Sequence, residues 1–433
     1  MSCLKYSSFI LLLFSFLYQN TFGQNYNNEW IDFEQTYLKI KVAKSGLYRI
    51  PFSSLQNTDF PLTADGFQIY NKGNQVPIYL TTNGTLSNED YIEFYAEKND
   101  GKLDKDVFSD AAFQLSDVKS LFSDTAAYFL SWDNTDFNLR INQINNNLSV
   151  LPQAETHFNH RIDVVPNNQF FAGQGTTLAD GQRLHFSDFE NGEGFVGIVI
   201  LEGNTKNYTL KTGEIYRENP DITTATMSLK VVGQNDNLAL DNEHHVAVAI
   251  NDVPQNSFEY DGFGNYTKVF EVDFDILNDT ETIINVSSLA DVAGTNRNSV
   301  AAVSIDYQRT FNFENLNSIV FSLENSTEKY LEITNFDAGT TPLLIDLTNR
   351  LRIEPTIEGN TLRIRLPQGL DTTAKRHLLL QNTTIPSAIS LVNEFENVSF
   401  NDFSLTENEG DFLIITHQSC LLYTSPSPRD EQS

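Results

Sequence analysis

Polar and apolar residues alternate along much of this chain with a period of two, the spacing of a half-buried strand. Tyr37-Leu38-Lys39-Ile40-Lys41-Val42 shows it first, and a Lys44-Ser45-Gly46 turn leads into Leu47-Tyr48-Arg49-Ile50. Residues 67–70 and 75–80 flank Asn71-Lys72-Gly73-Asn74, a hairpin signal, with Pro77 marking an edge. Residues 208–211, 228–232, 246–250 and 343–347 repeat the theme. Residues 361–366 alternate strictly, with Arg363 and Arg365 facing outward. Asn, Asp and Gly fill the gaps, as turn chemistry requires. A helical period is short-lived; residues 110–121 predict one brief helix. Many short strands between frequent turns predict an all-β protein of tandem β-sandwiches, jelly-roll or Ig-like, and not a βαβ sheet.

The two ends read differently. Lys5, the apolar run from Phe9 to Leu17 and the small residues up to Gly23 form a signal peptide over residues 1–23. That run is too short to span a bilayer, and no later segment approaches the roughly 20 apolar residues a spanning helix needs. The mature chain is therefore expected to be exported with no transmembrane segment. Residues 420–430 resemble the direct translation of a sequencing-library adapter, so residues 419–433 are read as adapter sequence and the genuine chain as stopping near Gln418. Between the ends we expect an N-terminal β domain over residues 24–150, closing in the Asn-rich stretch 142–147. A jelly-roll-like sandwich follows over 151–310, running from His160-Arg161-Ile162-Asp163-Val164 to the apolar strand that carries Asp306 and Tyr307. A third small β domain spans 311–409. Residues 410–418 read as one more strand. Its unalternating Phe412-Leu413-Ile414-Ile415 suits a strand covered on both faces, as in a parallel sheet.

Charge narrows the partners. The 433 residues carry 57 Asp and Glu against 28 Lys and Arg, a net charge of −29. Such a chain repels phosphate backbones, so no nucleic acid is expected as a partner. Two Cys residues exclude a disulfide scaffold. With Cys3 in the signal and Cys420 in the adapter-like tail, the mature segment has no thiol.

The search for self-contained chemistry returns little. His157 and His160 stand three apart and His244 and His245 are adjacent, but no third ligand sits at metal spacing, and all four read as strand-edge or surface histidines. Residues 97–106 are rich in calcium-type oxygens, yet Lys98 breaks the EF-hand spacing and a polar turn is expected there. Gly173-Gln174-Gly175 lacks the third glycine and the helix of a dinucleotide loop. No catalytic, cofactor-binding or metal residue is assigned, and no cofactor is expected.

Four stretches, in order, carry a resemblance. Gly46-Leu47-Tyr48-Arg49-Ile50 resembles the opening hairpin of the N-terminal region of gingipain-like cysteine peptidases, above all the sortases of the type IX secretion system. Tyr91-Ile92-Glu93-Phe94-Tyr95-Ala96 with Asn99-Asp100-Gly101-Lys102-Leu103-Asp104 is similar to the same region, as is the run from Ser123 to Trp132. Asp411-Phe412-Leu413-Ile414-Ile415-Thr416-His417 resembles the first strand of the family's caspase-like α/β catalytic domain, which here would be truncated. The resemblance implies a Cys nucleophile with a His partner beyond Gln418. It also implies exported cargo and other type IX secretion components as partners, and a place from the periplasm to the outer-membrane surface. His417 matches the strand and not the dyad. The expected function is a non-catalytic N-terminal portion of a sortase that removes C-terminal sorting domains and anchors cargo. The alternatives are a secreted gingipain-like protease or a surface sandwich that binds carbohydrate or protein.

Overall fold

The computed structural model describes residues 28–133, 138–174, 176–177, 183–184, 188–291, 295–408 and 410. The expected signal peptide, the adapter-like tail, Gly175 and the strand expected over residues 411–416 lie outside the described residues. Two compact units are present, one of Met1–Leu38, Lys72–Asn74 and Glu396–Ser433, the other of Lys39–Asn71 and Gln75–Phe395. In the small unit Trp30, Tyr37 and Phe400 meet edge to face, with ring centroids 5.3–5.5 Å apart.

The large unit is a series of β-sandwiches, as the alternation predicts. Thr224–Gly233 shows the rule: Ala225, Met227, Leu229 and Val231 point inward and are buried, while Thr224, Thr226, Ser228 and Lys230 face out. It lies between Asn265–Asp273 and Asn298–Thr310, and His157–Val164 closes the far edge of this sheet. The opposing sheet runs Thr205–Leu210, Thr282–Ser288, His244–Ile250 and Val253–Pro254. Between the two lies one apolar core containing Met227, Leu229, Val248, Phe270, Val286, Val303 and Ile305. Tyr307 is buried at its rim, and its hydroxyl donates to the Gly213 carbonyl at 2.9 Å.

The third sandwich has its own core of Phe311, Phe313, Phe321, Leu331, Ile364 and Leu380. Thr361–Leu366 buries Leu362, Ile364 and Leu366 and turns Arg363 and Arg365 outward, as expected. The Asn-rich residues 142–147 add a strand here. Asn142–Ile144 pairs in parallel with Leu351–Ile353. Asn146 extends the join through its side chain, donating to the Arg363 carbonyl at 2.8 Å and accepting the Arg365 N–H at 3.0 Å. An amide that both donates and accepts can imitate a strand's backbone, and Asn146 does so here.

The helix expected over residues 110–121 is absent; only Ala111–Phe113 forms a 3₁₀ turn. Asp110, Ser116 and Ser120 accept the N–H groups of Ala112, Val118 and Phe122, so side-chain oxygens take the donors a helix needs.

The first sandwich is joined to the third by charge and by apolar contact. Gly46–Pro51 pairs antiparallel with Tyr91–Ala96 and in parallel with Ile389–Leu391. Leu47, Ile141, Leu343, Ile345, Leu379 and Ile389 form a shared apolar cluster. Glu93, wholly buried, sits between two guanidiniums. Arg49 donates to its Oε2 at 2.7 Å, and Arg352 of the third sandwich donates to its Oε1. The guanidiniums lie over Tyr91 at 3.9 Å and Tyr79 at 4.2 Å. Removing one partner of a buried pair leaves an uncompensated charge, so Glu93→Ala should destabilise the chain by about 3–5 kcal/mol in urea unfolding. A loss below about 1 kcal/mol, the level of a surface pair, would show that the triad is not held away from water.

Candidate functional site

The outward face of the Asn265–Asp273 to His157–Val164 sheet is polar, and two hollows open on it. The larger, about 550 Å³, lies where His157–Val164 meets Ser318–Glu324 of the third sandwich. The smaller, about 440 Å³, is walled by residues 111–118 of the first sandwich. Arg161 lines both. Its position follows from strand register: Arg161 stands opposite Asp306 and Asp163 opposite Ser304. The guanidinium reaches Asp306 at 2.8 Å and Asp163 at 3.0 Å. Because all three side chains share one face, the pairing holds Arg161 flat along the floor.

The third sandwich supplies the other wall. His377 and Ser322 are directly opposed in register, with Nδ1 and Oγ 2.8 Å apart. Lys375 and Glu324 are the exposed lips beyond them. Lys329 bonds Glu155 at 3.0 Å. The larger hollow thus has three cations, Arg161, Lys329 and Lys375, against three acids, Glu155, Asp306 and Glu324. On a chain of net charge −29 this is a locally neutral surface rich in donors. The rings that line it, Phe158 and Phe321, are buried at 2% and 3% exposure and offer no stacking platform. Exposed aromatics gather elsewhere: Phe122 stacks on Phe189 at 6.2 Å, and Phe170 packs on Phe189 and Phe195.

The histidine pairs separate as strand geometry demands, since residues one or three apart point to opposite faces. His157 stacks on Tyr216 at 4.4 Å. His160 turns the other way, edge-on to Phe158 and Tyr307. Burial, with Arg309 nearby, pushes its pKa from 6.5 to about 4. His244 is fully buried, its Nε2 within 3.1 Å of the Asn235 and Gly262 carbonyls. His245 faces out, with Nδ1 2.7 Å from Asp291 Oδ2 and Nε2 3.1 Å from Ser257 Oγ. Both Asp291 and Ser257 are exposed, so the three groups form a hydrogen-bonded cluster on the surface of the sheet. Sequence spacing could not reveal it, because Asp291 lies 46 residues from His245.

Residues 99–106 form the expected polar turn. Asp100 bonds Lys102, and Asp104 accepts the Leu121 N–H at 2.6 Å and the Ser120 hydroxyl at 3.3 Å. Among the described residues no group of three His, Cys, Asp or Glu is arranged to hold a metal ion. No described helix is long and apolar enough to cross a membrane.

No protein-family model matches the chain, and no curated protein matches it. Among solved structures, dimeric latent PorU from Porphyromonas gingivalis aligns with 84% of this chain at TM-score 0.52 and 11% identity. The fold is PorU-like. The chain spans 33% of the PorU chain's length. A CBM36 domain of a xylanase from the hindgut metagenome of Trinervitermes trinervoides aligns with 34% of the chain, over 95% of its own, at TM-score 0.20 and 12% identity. A family 35 carbohydrate-binding module from Clostridium thermocellum aligns with 24%, over 70% of its own, at 0.18 and 13%. These two likenesses are too remote to carry an argument. Within the PorU-like fold, the groove draws its floor from the central sandwich and its walls from its neighbours.

His160 makes the junction of floor and wall sensitive to acid. Its folded pKa lies below its ordinary value, so between pH 6.5 and about 4 the unfolded chain binds more protons. Stability carried by neutral His160 is complete above pH 6.5 and is lost as pH falls through that window. In urea unfolding at stepped pH, His160→Gln should lose less stability across the window than the native chain; equal losses would show that His160 titrates normally.

Proposed function

We propose that this chain is the non-catalytic, β-rich N-terminal portion of an exported, surface-associated gingipain-like cysteine peptidase, similar to the sortase of the type IX secretion system. One observation carries the reading: a PorU-like arrangement of sandwiches over 84% of the chain. The order of the stretches around Gly46, Tyr91 and Ser123 supports it. The chemistry of such an enzyme needs a thiolate activated by an imidazole. No cysteine occurs between Cys3 and Cys420, so the described segment acts as scaffold and docking surface. In this reading the parent enzyme cleaves C-terminal sorting domains from cargo between the periplasm and the outer-membrane surface. The groove beside Arg161 and His377 then receives an extended segment of cargo or of another secretion component, through paired charges and not through stacked rings.

The gene itself provides the test. Reading source DNA past the codon for Gln418 should reveal a caspase-like βαβ pattern with one His and one Cys at the ends of neighbouring strands. Purified residues 24–410 should show no thiol-dependent peptidase activity. A stop codon at that point in source DNA, or thiol-dependent cleavage by the purified segment, would overturn the reading.

A further inference from the structure

Among the described histidines, only His245 has both ring nitrogens within hydrogen-bonding distance of other side chains. Nδ1 stands 2.7 Å from Asp291 Oδ2, and Nε2 stands 3.1 Å from Ser257 Oγ. An ionised carboxylate only accepts, so Asp291 fixes the tautomer that carries its proton on Nδ1. Nε2 is then bare and accepts the Ser257 O–H. The imidazole is largely covered, at 18% exposure, whereas Ser257 is exposed. A second acid, Glu259, is opposed to His245 in register but stays 3.9 Å from Nδ1. Acid, imidazole and hydroxyl stand in the order of a general base aimed at a nucleophile.

Each member is held by the fold. The strand that carries His245 lies between Phe258–Tyr260 and Thr282–Ser288. Ser257 sits at a bulge. Ala249 pairs with Pro254 but Val246 with Phe258, so Ala247 and Val248 face three residues, Gln255, Asn256 and Ser257. Such an extra residue re-aims side chains and is a frequent neighbour of active sites. Asp291 arrives on the segment after Thr282–Ser288, and that segment is tied to the His245 backbone. The His245 carbonyl accepts the Leu289 N–H at 3.0 Å and the Asn296 side-chain amide at 2.8 Å. Asn296 is fully buried and in turn accepts from Asn298, which accepts the Tyr260 hydroxyl. A buried amide network thus bridges the acid's segment to the base's strand, the support that a preorganised site needs.

We propose that Ser257, His245 and Asp291 form a serine-type acyl-transfer site that hydrolyses short-chain esters, acetyl esters above all. Ser257 Oγ attacks the ester carbonyl carbon while His245 Nε2 takes the hydroxyl proton. The bond from that carbon to the alkoxy oxygen breaks, the leaving oxygen takes the proton from Nε2, and an acyl-serine remains. Water attacks the acyl-serine by the same route, releasing the carboxylic acid and restoring the hydroxyl. Asp291 touches no substrate; it is a positioning residue that holds the ring and its tautomer. The acyl group is short because the strand beside the site presents Ala247 and Ala249 outward, whose side chains end at Cβ and build no wall for a longer chain. None of the three residues lines either hollow beside Arg161. The chemistry also uses no thiol, so the site is separate from the groove and from the peptidase chemistry of the proposed parent enzyme.

The test uses the full chain with two probes, an aryl acetate and a fluorophosphonate that labels activated serines. Peptide mass analysis should place the phosphonyl group on Ser257, and the aryl acetate should be hydrolysed faster than in buffer alone. Ser257→Ala should abolish the label. His245→Gln and Asp291→Asn should slow both reactions by about 10²-fold or more, and Asp291→Glu should restore part of the rate. Glu259→Gln should leave both reactions as they are, and so should alkylation of thiols beforehand. Melting scans that match the native chain separate lost chemistry from lost fold, and the label on the native chain needs no variant at all. No label on the native chain, a label on another residue, or full rates in Ser257→Ala or His245→Gln would overturn the proposal.

Discussion

Glu93 has no access to water, and its charge is met from two sides by Arg49 and Arg352. Fixed buried charges tolerate little misplacement, since sliding either strand by one residue would turn a side chain to the wrong face. Arg352 belongs to Leu351–Ile353, whose neighbours in the sheet are Pro342–Asp346 and Asn142–Ile144. The triad thereby sets the register of the third sandwich against the first, and the shared cluster around Leu47, Ile345 and Leu379 seals it. Apolar packing alone is non-directional and would allow the two sandwiches to slip. The guanidinium–carboxylate geometry supplies the direction that packing lacks.

That alignment passes to the groove. Ser318–Glu324, at the edge of the third sandwich, is placed beside His157–Val164 only if the third sandwich is correctly seated. The second constraint is the long strand Asn298–Thr310, which leaves the central core and continues into Phe311 and Phe313 of the third. Arg309, at that crossing, is buried and bonds Glu314 at 2.6 Å. Its charge and the dry surroundings together keep His160 neutral.

Strands that alternate cleanly were legible in sequence. Thr361–Leu366 and Thr224–Gly233 each bury every second residue, and the outward placing of Arg363 and Arg365 follows from that period alone. The helix expected over residues 110–121 failed because Asp and Ser side chains there take the backbone donors, an effect that hydrophobic periodicity does not register. The groove was half legible. The alternation of residues 157–164 already puts Asn159, Arg161 and Asp163 on one face. What that face meets depends on pairing across about 145 residues to Asp306, which no local pattern encodes. The histidine pairs invited a metal reading that strand geometry forbids, because neighbours one or three apart diverge. Glu243 escaped notice for the opposite reason: nothing in its local sequence says that its carboxylate becomes buried.

The excess of acid gives these details a common logic. With 57 acidic residues and 28 basic ones, most carboxylates have no partner and must stay in water. Where the fold takes one inside, the response is selective. The buried basic residues are Arg309, Arg352 and Arg376, and among the described residues no lysine joins them. Arginine suits the task because its planar fork bonds two acceptors at once and is less strongly hydrated than an ammonium. Glu93 and Asp346, both buried, each lie against such a guanidinium. Glu243 is drawn in without one, at the turn that leads into His244–Ile250. Other buried acids take uncharged donors: Asp104 accepts the Leu121 N–H and the Ser120 hydroxyl, and Glu243 accepts the Asn237 and Gly262 N–H groups, so the fold reserves its buried arginines for the acids at the joins and core of the third sandwich.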